Sequence, residues 1–235
     1  MLTVMHWPQW VFLALVFMLL LDATLPPFDP MELVVKLVVW GSITGALMAG
    51  GFFSNACAQS VPANAARYRA DLVRAAHSQW GLDAPVAALA AQVHQESGWN
   101  PQAVSQVGAA GMAQFMPATA TWWCTLNNIP ADQCQPRNPV WSLQALVGYD
   151  KWLYDRTPQR YAAFDRLWVA LRAYNGGLGH WQAESRLAAN TSRQAVDAAC
   201  GRARRSPTHC PENLGYPQRI LLQLQPRYAT WGPGV

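Results

Sequence analysis

The sequence has few charged residues and almost no lysine. Charged side chains make up 13% of its 235 residues, and Lys36 and Lys151 are the only lysines. Residues 1 to 58 hold one cation and three acids, and the 16 basic and 10 acidic residues that follow give the remainder a charge of +6. These cations are scattered, with the nearest approach to a cluster within residues 202 to 205. We therefore expect no nucleic-acid partner, because such partners favour blocks of positive charge.

Sustained alternation of apolar and polar residues is absent after Gln59, as is any internal repeat. Apolar residues recur instead at helical spacing, in segments bounded by glycine and proline. Gly81 and Gly98 are predicted to end helices, Asp83 to cap the start of one, and Asn138 to open another before a proline. The pattern predicts an all-α domain of about six to eight helices over residues 59 to 235.

Two long apolar stretches lie within residues 7 to 53. Each approaches the roughly 20 residues that a bilayer-spanning helix needs. The second precedes SNACAQ, whose small residues fit a signal-peptidase site with cleavage before Gln59. Residues 1 to 58 are therefore predicted to be either a retained membrane hairpin or a signal sequence. Both alternatives place the rest of the chain in the cell envelope, outside the cytoplasm, if Lys36 stays inside.

Four cysteines follow the apolar region, in two pairs whose members are ten residues apart. An even number in an exported chain predicts disulfides, and the obvious pairing joins Cys124 to Cys134 and Cys200 to Cys210, although three connectivities are allowed. We expect no metal site, because the short Cys-x-x-Cys spacing of zinc ligands is absent.

Glu96 is the single acidic residue between residues 94 and 120. It continues the helical stripe formed by Val86, Leu89 and Val93. An acid in that position either reaches water at the end of the helix or lies in a partly desolvated site. In the second case burial raises its pKa and makes it a general acid.

The blocks ESGWNP, SQVGAAGMAQFMPATA and, further on, ALRAYNGG closely resemble the soluble lytic transglycosylase family, over a region from about Tyr68 to Tyr228. The resemblance implies a lysozyme-like catalytic domain that needs no cofactor. It also implies cleavage of the β-1,4 bond between N-acetylmuramic acid and N-acetylglucosamine in peptidoglycan glycan strands, with 1,6-anhydro ends. The block HCPENLGYPQRI is most like that of bacteriophage and prophage-encoded members, which adds phage or secretion-machine components to the expected partners.

By the same resemblance, Glu96 is the catalytic acid. The residues expected to contact substrate are Ser97, Met112, Gln114, Tyr174, Asn175, Glu212 and Tyr216. Tyr174 is expected to hydrogen-bond Glu96 or the acetamido group of the sugar. A single catalytic carboxylate suffices because the substrate's own acetamido group takes the place of a second one.

Two further side chains carry expectations, and two other functions fit the same residues. Trp99 is the tryptophan most expected to stack on a sugar, and Glu184 is expected on the surface. One alternative function is a hydrolytic muramidase of the same fold, which needs a second carboxylate to position water. The other is a membrane-perturbing or assembly protein whose lysozyme-like domain only binds glycan.

Overall fold

Helices carry most of the part of the chain that the structure describes. In the computed structural model, which describes residues 61 to 235, these are α1 (Arg69–Trp80), α2 (Val86–Ser97), α3 (Pro117–Leu126), α4 (Pro139–Asp155), α5 (Ala163–Gly176), α6 (Leu178–Ser185), α7 (Arg193–Ala198) and α8 (Cys210–Gln218). A π-helical segment (Arg219–Leu224) and a 3-10 turn (Gln225–Tyr228) continue directly from α8. Short 3-10 turns also occur at Ala65–Tyr68, Ala131–Gln133 and Pro207–His209. The predicted all-α class is confirmed for these residues.

The ends of the helices follow local chemistry. Gly81 and Gly98 stop α1 and α2 with positive φ angles of 82° and 58°, as predicted. The Asn138 side chain accepts hydrogen bonds from the backbone N–H groups of the first turn of α4, which confirms its role as N-cap. The prediction for Asp83 is wrong, because α2 begins only at Val86, after Pro85, and has no side-chain cap.

Helix α2 is the centre of the core. Its residues from Val86 to Val93 are all buried, so the helix is surrounded by protein on every side rather than along one stripe. Its alanines allow α1 and the segment after α8 to pack closely around it. The last turn of α2, which carries Glu96, leaves this enclosure. The helix thus delivers one polar side chain from an apolar interior to an open face.

The connection from α2 to α3 folds back on itself next to that last turn. Single β-bridges pair Val104 with Ala110 and Ala110 with Phe115. Gly111 lies so close to the chain after α3 that a Cβ atom there would be 1.8 Å from the carbonyl oxygen of Pro136. Glycine is therefore required at this point, and the connection, residues 98 to 116, is held as a defined lobe.

Two disulfides join the cysteines in the expected pairing. Cys124 bonds to Cys134 and Cys200 to Cys210, each with a Cα–Cα distance of 6.0 Å. The first ties the C-terminal turn of α3 to the loop before α4. The second ties the end of α7 to the first residue of α8.

The predictions for the N-terminal region fall on residues that the structure does not describe. The membrane hairpin or signal sequence at residues 1 to 58, including the apolar stretches within residues 7 to 53, lies outside the described residues. Between residues 61 and 235, no helix combines the length and the apolar character needed to cross a bilayer.

Candidate active site

A cavity of about 310 Å³ opens at the end of α2. Five of the residues expected at the site line this cavity, and they come from α2, the 98 to 116 lobe, α5 and α8: Glu96, Gln114, Tyr174, Asn175 and Glu212. The sequence separates the first and last of these by more than a hundred positions. The fold therefore gathers most of the predicted site residues around one carboxyl group.

Glu96 is partly buried at this cavity and has an altered proton affinity. Burial raises its pKa from the ordinary 4.5 to about 7, and the negative charge of Glu212 acts in the same direction. The Tyr216 hydroxyl donates a hydrogen bond to Oε1 of Glu96 and opposes the rise, because it stabilises the carboxylate. A carboxyl with this pKa can both give and take a proton near neutral pH.

Tyr216 reaches Glu96 from beneath the cavity. It is 3% exposed and projects from α8, packed in the main core. Burial raises the pKa of its hydroxyl well above the ordinary value, so it stays a neutral donor. Tyr216 therefore contacts the carboxyl of Glu96 and does not line the cavity itself.

Ser97 and Met112 also lie behind the cavity rather than on its lining. The Ser97 hydroxyl donates to the carbonyl oxygen of Met112 at 3.0 Å, and Met112 is fully buried. These two residues fasten the 98 to 116 lobe to the last turn of α2. Their contacts are structural, and no atom of theirs is brought to the cavity surface.

Gln114 presents one defined polar atom to the cavity. Its side-chain Nε2 donates to the carbonyl oxygens of Gly111 at 2.9 Å and Ala103 at 3.3 Å. Both amide hydrogens are thereby used, which leaves Oε1 free to accept from a ligand. The residue has a φ of +48°, a left-handed conformation that turns the chain here.

The hydroxyl of Tyr174 does not bond to Glu96, which is one of the two partners expected for it. It donates to the carbonyl oxygen of Ala113 at 2.7 Å, not to Glu96. This bond joins α5 to the 98 to 116 lobe, and the ring packs 5.4 Å from that of Tyr149. Tyr174 thus lines the cavity mainly through its ring.

Asn175 is held at the cavity rim by a chain of hydrogen bonds. Asn213 donates through Nδ2 to Asn175 Oδ1 at 3.0 Å, and the Nε of Arg172 donates to Asn213 Oδ1 at 3.0 Å. The Nδ2 of Asn175 faces Glu212 Oε1 at 3.4 Å. An amide and a carboxylate are thereby presented side by side to any ligand in the cavity.

The expectation that Glu184 lies on the surface is wrong. Glu184 is fully buried between Arg172 and Arg205, with N–O distances of 2.7 and 2.8 Å. Since Arg172 also holds Asn213, this ion pair supports the rim of the cavity from within. The short polar helix around Glu184 gave no sign of this role, because both partners are distant in sequence.

The expectation that Trp99 stacks on a sugar is also wrong. Trp99 is fully buried, and its Nε1 donates to the Tyr228 hydroxyl at 2.8 Å. Trp99 itself has a positive φ of 67°, directly after Gly98, and its side chain points into the core. Trp99 is therefore a core residue that contacts the C-terminal segment, residues 210 to 235.

Two residues near Glu96 were missed from the sequence. Tyr149 lines the cavity, and its neighbour Asp150 is completely buried. Asp150 continues a helical stripe on α4 with Leu143 and Leu146, the same signal that drew attention to Glu96. That pattern could have identified Asp150 as a buried acid.

A larger cavity, of about 430 Å³, lies beside the Cys124–Cys134 disulfide and is lined without any titratable side chain. It offers no group for acid or base chemistry, so the smaller cavity at Glu96 is the candidate active site. Within residues 61 to 235, no three His, Cys, Asp or Glu side chains converge in a way that would hold a metal ion.

The chain is similar in sequence to known transglycosylases. The model of the family described as transglycosylase SLT domain matches residues 71 to 196. The membrane-bound lytic murein transglycosylase F of Maricaulis maris is 38% identical over 105 residues, which are 45% of this chain and 21% of that protein. The protein of the same name from Mannheimia succiniciproducens is 35% identical over 124 residues, 53% of this chain and 22% of the relative. The chain thus spans about a fifth of the length of the curated relatives it matches.

Solved structures share the fold. The 70 kDa soluble lytic transglycosylase of Escherichia coli superposes with a TM-score of 0.52 and 26% identity, over 70% of this chain and 25% of that one. An inactive mutant of the lytic transglycosylase Slt of Pseudomonas aeruginosa gives a TM-score of 0.53 at 22% identity, over 71% and 25% of the two chains. The second likeness bears on the fold alone.

Proposed function

Because the chain belongs to the transglycosylase SLT domain family, we propose that it is a peptidoglycan lytic transglycosylase with Glu96 as its catalytic acid. The substrate is the β-1,4 bond between N-acetylmuramic acid and N-acetylglucosamine, and the products carry 1,6-anhydro-muramoyl ends. The observation that carries the proposal is the Glu96 carboxyl, with a pKa raised to about 7, at a cavity lined by amide and tyrosine side chains.

One carboxyl group serves both halves of the reaction. Protonated Glu96 gives its proton to the glycosidic oxygen as the bond to the muramoyl anomeric carbon breaks. The acetamido group of the same sugar stabilises the cation that develops, which is a substrate-assisted route. The Glu96 carboxylate then takes the proton of the muramoyl 6-hydroxyl as that oxygen attacks the anomeric carbon. No water is consumed, and Glu96 returns to its protonated state.

The other site residues divide into two groups by their position. Gln114, Asn175 and Glu212 offer polar atoms to the cavity, and we assign them to the hydroxyl and acetamido groups of the sugars. Tyr174 lines the cavity through its ring, while its hydroxyl bonds to the 98 to 116 lobe. Ser97, Met112 and Tyr216 act from behind the lining. Their hydrogen bonds hold the Glu96 carboxyl and the 98 to 116 lobe in place.

Hydrolysis is the second candidate, and Glu212 favours it. This carboxylate lines the same cavity as Glu96 and influences its pKa, so it is a group that can position a water molecule. A hydrolytic muramidase of this fold would release reducing ends instead of anhydro ends.

Mass analysis of digested peptidoglycan separates the two reactions. We expect products that carry anhydro ends, each lighter by one water molecule than the hydrolysed product. Glu96→Gln keeps the shape of the side chain and removes the acid, so the rate should fall by about a hundredfold or more. Glu212→Gln is the matched control and should still give anhydro ends. Hydrolysed ends from the unaltered protein, or undiminished cleavage by Glu96→Gln, would reject the proposal.

We extend the proposal to the location of the protein. Relatives are named as membrane-bound, which supports action at the cell envelope with residues 7 to 53 as membrane anchor or export signal. The similarity of residues 209 to 220 to phage-encoded members makes phage or secretion-machine components the proposed partners. The N-terminal sequence of the protein recovered from envelopes and from virions tests this. A start at Gln59 means a released enzyme, and an intact N-terminus means a tethered one.

A further inference from the structure

A buried pair of polar side chains lies one helical turn inside the candidate active site. Gln92 on α2 and Asp150 on α4 are 1% and 0% exposed, and Gln92 Nε2 donates to Asp150 Oδ1 at 3.3 Å. Gln92 precedes Glu96 by four residues, so the two side chains share one face of α2. Asp150 follows Tyr149, which lines the cavity.

The two remaining oxygen atoms of this pair have no partner. Asp150 Oδ2 and Gln92 Oε1 are both buried, and neither has a hydrogen-bond partner. Buried polar atoms in folded proteins are nearly always hydrogen-bonded, so two such atoms on adjacent side chains call for an explanation. Both are acceptors as long as Asp150 is ionised. A single proton on Asp150 Oδ2 turns one of them into a donor for the other.

The electrostatic surroundings favour that proton. The charge of Glu96 raises the pKa of Asp150. The charge of Asp150 in turn raises the pKa of three nearby hydroxyls, those of Tyr149, Tyr174 and Tyr216. No cation is among these groups, so an ionised Asp150 would be a buried and uncompensated charge. Burial raises the pKa of Asp150 well above its ordinary value, in agreement with this argument.

We propose that Asp150 is a neutral carboxylic acid that forms two hydrogen bonds with Gln92 and so positions the turn of α2 that carries Glu96. Asp150 is a positioning residue, because it touches Gln92 and not the substrate. Its neutrality matters as much as its bonds. A carboxylate at Asp150 would repel the carboxylate that Glu96 becomes during the reaction, and Glu96 would then release its proton less readily. This role rests on the proposed function in that Glu96 is the catalytic acid.

Infrared spectroscopy of the full chain tests the protonation state directly. At neutral pH, in the Glu96→Gln variant that removes the other titrating acid of the site, the spectrum should show the carbonyl band of a protonated carboxylic acid. In that background Asp150→Asn should remove the band. Isotope-labelled aspartate in the unaltered protein assigns the band to an aspartate rather than a glutamate, and its loss in Asp150→Asn assigns it to position 150. A spectrum with no such band would overturn the proposal, whatever the outcome for glycan cleavage.

The pH profile of kcat/KM gives a second readout. Asn at position 150 is neutral and can both donate to Gln92 Oε1 and accept from Gln92 Nε2, so Asp150→Asn should keep the profile of the unaltered enzyme. Asp150→Leu removes both hydrogen bonds and should lower kcat while KM changes little. If Asp150 were ionised, Asp150→Asn would remove a negative charge near Glu96 and shift the alkaline limb to lower pH by about one unit or more. That shift would refute the proposal.

Discussion

The surroundings of the Glu96 carboxyl change its pKa in opposite directions. Removal from water favours the neutral acid, and Glu212 adds to this, whereas the hydrogen bond from Tyr216 favours the carboxylate. The result is a pKa of about 7 rather than a more extreme value. A group that must first give and then take a proton works best with such an intermediate pKa. Under the proposed function, Tyr216 thus adjusts the pKa of the catalytic acid although it does not line the cavity.

Tyr216→Phe should move the pH dependence of the reaction upward. The variant loses the hydroxyl that stabilises the Glu96 carboxylate, so the pKa of Glu96 rises above about 7. A charged hydrogen bond of this kind corresponds to about one pKa unit. The alkaline limb of the kcat/KM profile on peptidoglycan should shift to higher pH by that amount, because Glu96 stays protonated further.

Tyr161→Phe is the matched control for that experiment. Its hydroxyl donates to the carbonyl oxygen of Thr191 at 2.7 Å, and it does not line the cavity. The control should leave the profile unchanged. A shift of the Tyr216→Phe profile to lower pH would contradict the role assigned to this tyrosine.

Sequence patterns predicted Glu96 as a buried acid, but they did not distinguish the buried Glu184 from a surface acid. Glu96 was found because an acid interrupts an apolar stripe next to family motifs. Glu184 lies in a polar segment, and its burial depends on Arg172 and Arg205, whose contacts arise only when α5, α6 and the loop before α8 come together. Trp99 likewise depends on Tyr228, 129 residues away. Long-range partners of this kind leave no local signal.

Helix α8 is the element on which the site depends most. Its residues include Glu212 at the cavity, Asn213 behind Asn175, and Tyr216 at Glu96. The helix is short, and a disulfide and an ion pair hold its first turn in place. Cys210 bonds to Cys200, and the loop between them inserts Arg205 against Glu184. The other disulfide joins the end of α3 to the loop before α4, and neither of its cysteines lines the cavity at Glu96.

The two disulfides should therefore differ in their effect on activity but not on stability. Each closes a loop with a sequence separation of 10 residues, so the loss of either should cost about 2–3 kcal/mol of unfolding free energy. Replacing Cys200 and Cys210 by alanine frees the start of α8 and should lower kcat and disturb the pH profile. Replacing Cys124 and Cys134 should leave both nearly unchanged.

Denaturant unfolding and kinetics on the same preparations check this comparison. Each pair of substitutions serves as the control for the other, because the loops have equal length. Equal losses of activity at temperatures where both variants are folded would show that α8 gains no special placement from its disulfide.

The boundaries of the helices were predictable where one residue decides them. Gly81, Gly98 and Asn138 act through their own backbone or side chain, and these predictions are confirmed. The prediction that Asp83 caps α2 is wrong because a tertiary contact determines where the helix begins. The backbone N–H of Ala87 donates to the carbonyl oxygen of Pro233 at 2.8 Å. The first turn of α2 is thus satisfied by the far end of the chain instead of by a local cap.

The C-terminal segment packs around α2. The family match ends at residue 196, yet α8, the π-helical segment and the turn that follows supply Tyr216, Ile220 and Tyr228 to the core. Tyr228 accepts from Trp99 Nε1 at 2.8 Å and shares a hydrogen bond of 2.9 Å with His94 Nδ1. Residues beyond the family match are therefore part of the same folded unit and help to hold the helix that carries Glu96.

Removal of residues 225 to 235 should destabilise the domain strongly. The shortened chain loses Tyr228 and Trp231, whose rings lie 6.0 and 5.3 Å from that of Trp99, and leaves this fully buried indole open to water. The loss of such aromatic packing should lower the free energy of unfolding by about 3–5 kcal/mol or more.

Tyr228→Phe is the milder counterpart. It keeps the ring and removes only the hydroxyl bonded to Trp99 and His94, so it should cost about 1–2 kcal/mol. Denaturant unfolding, followed by tryptophan fluorescence, measures both changes. A shortened chain as stable as the full one would mean that α2 is enclosed without residues 225 to 235, in which case Glu96 would owe its position to α4, α5, α8 and the π-helical segment alone.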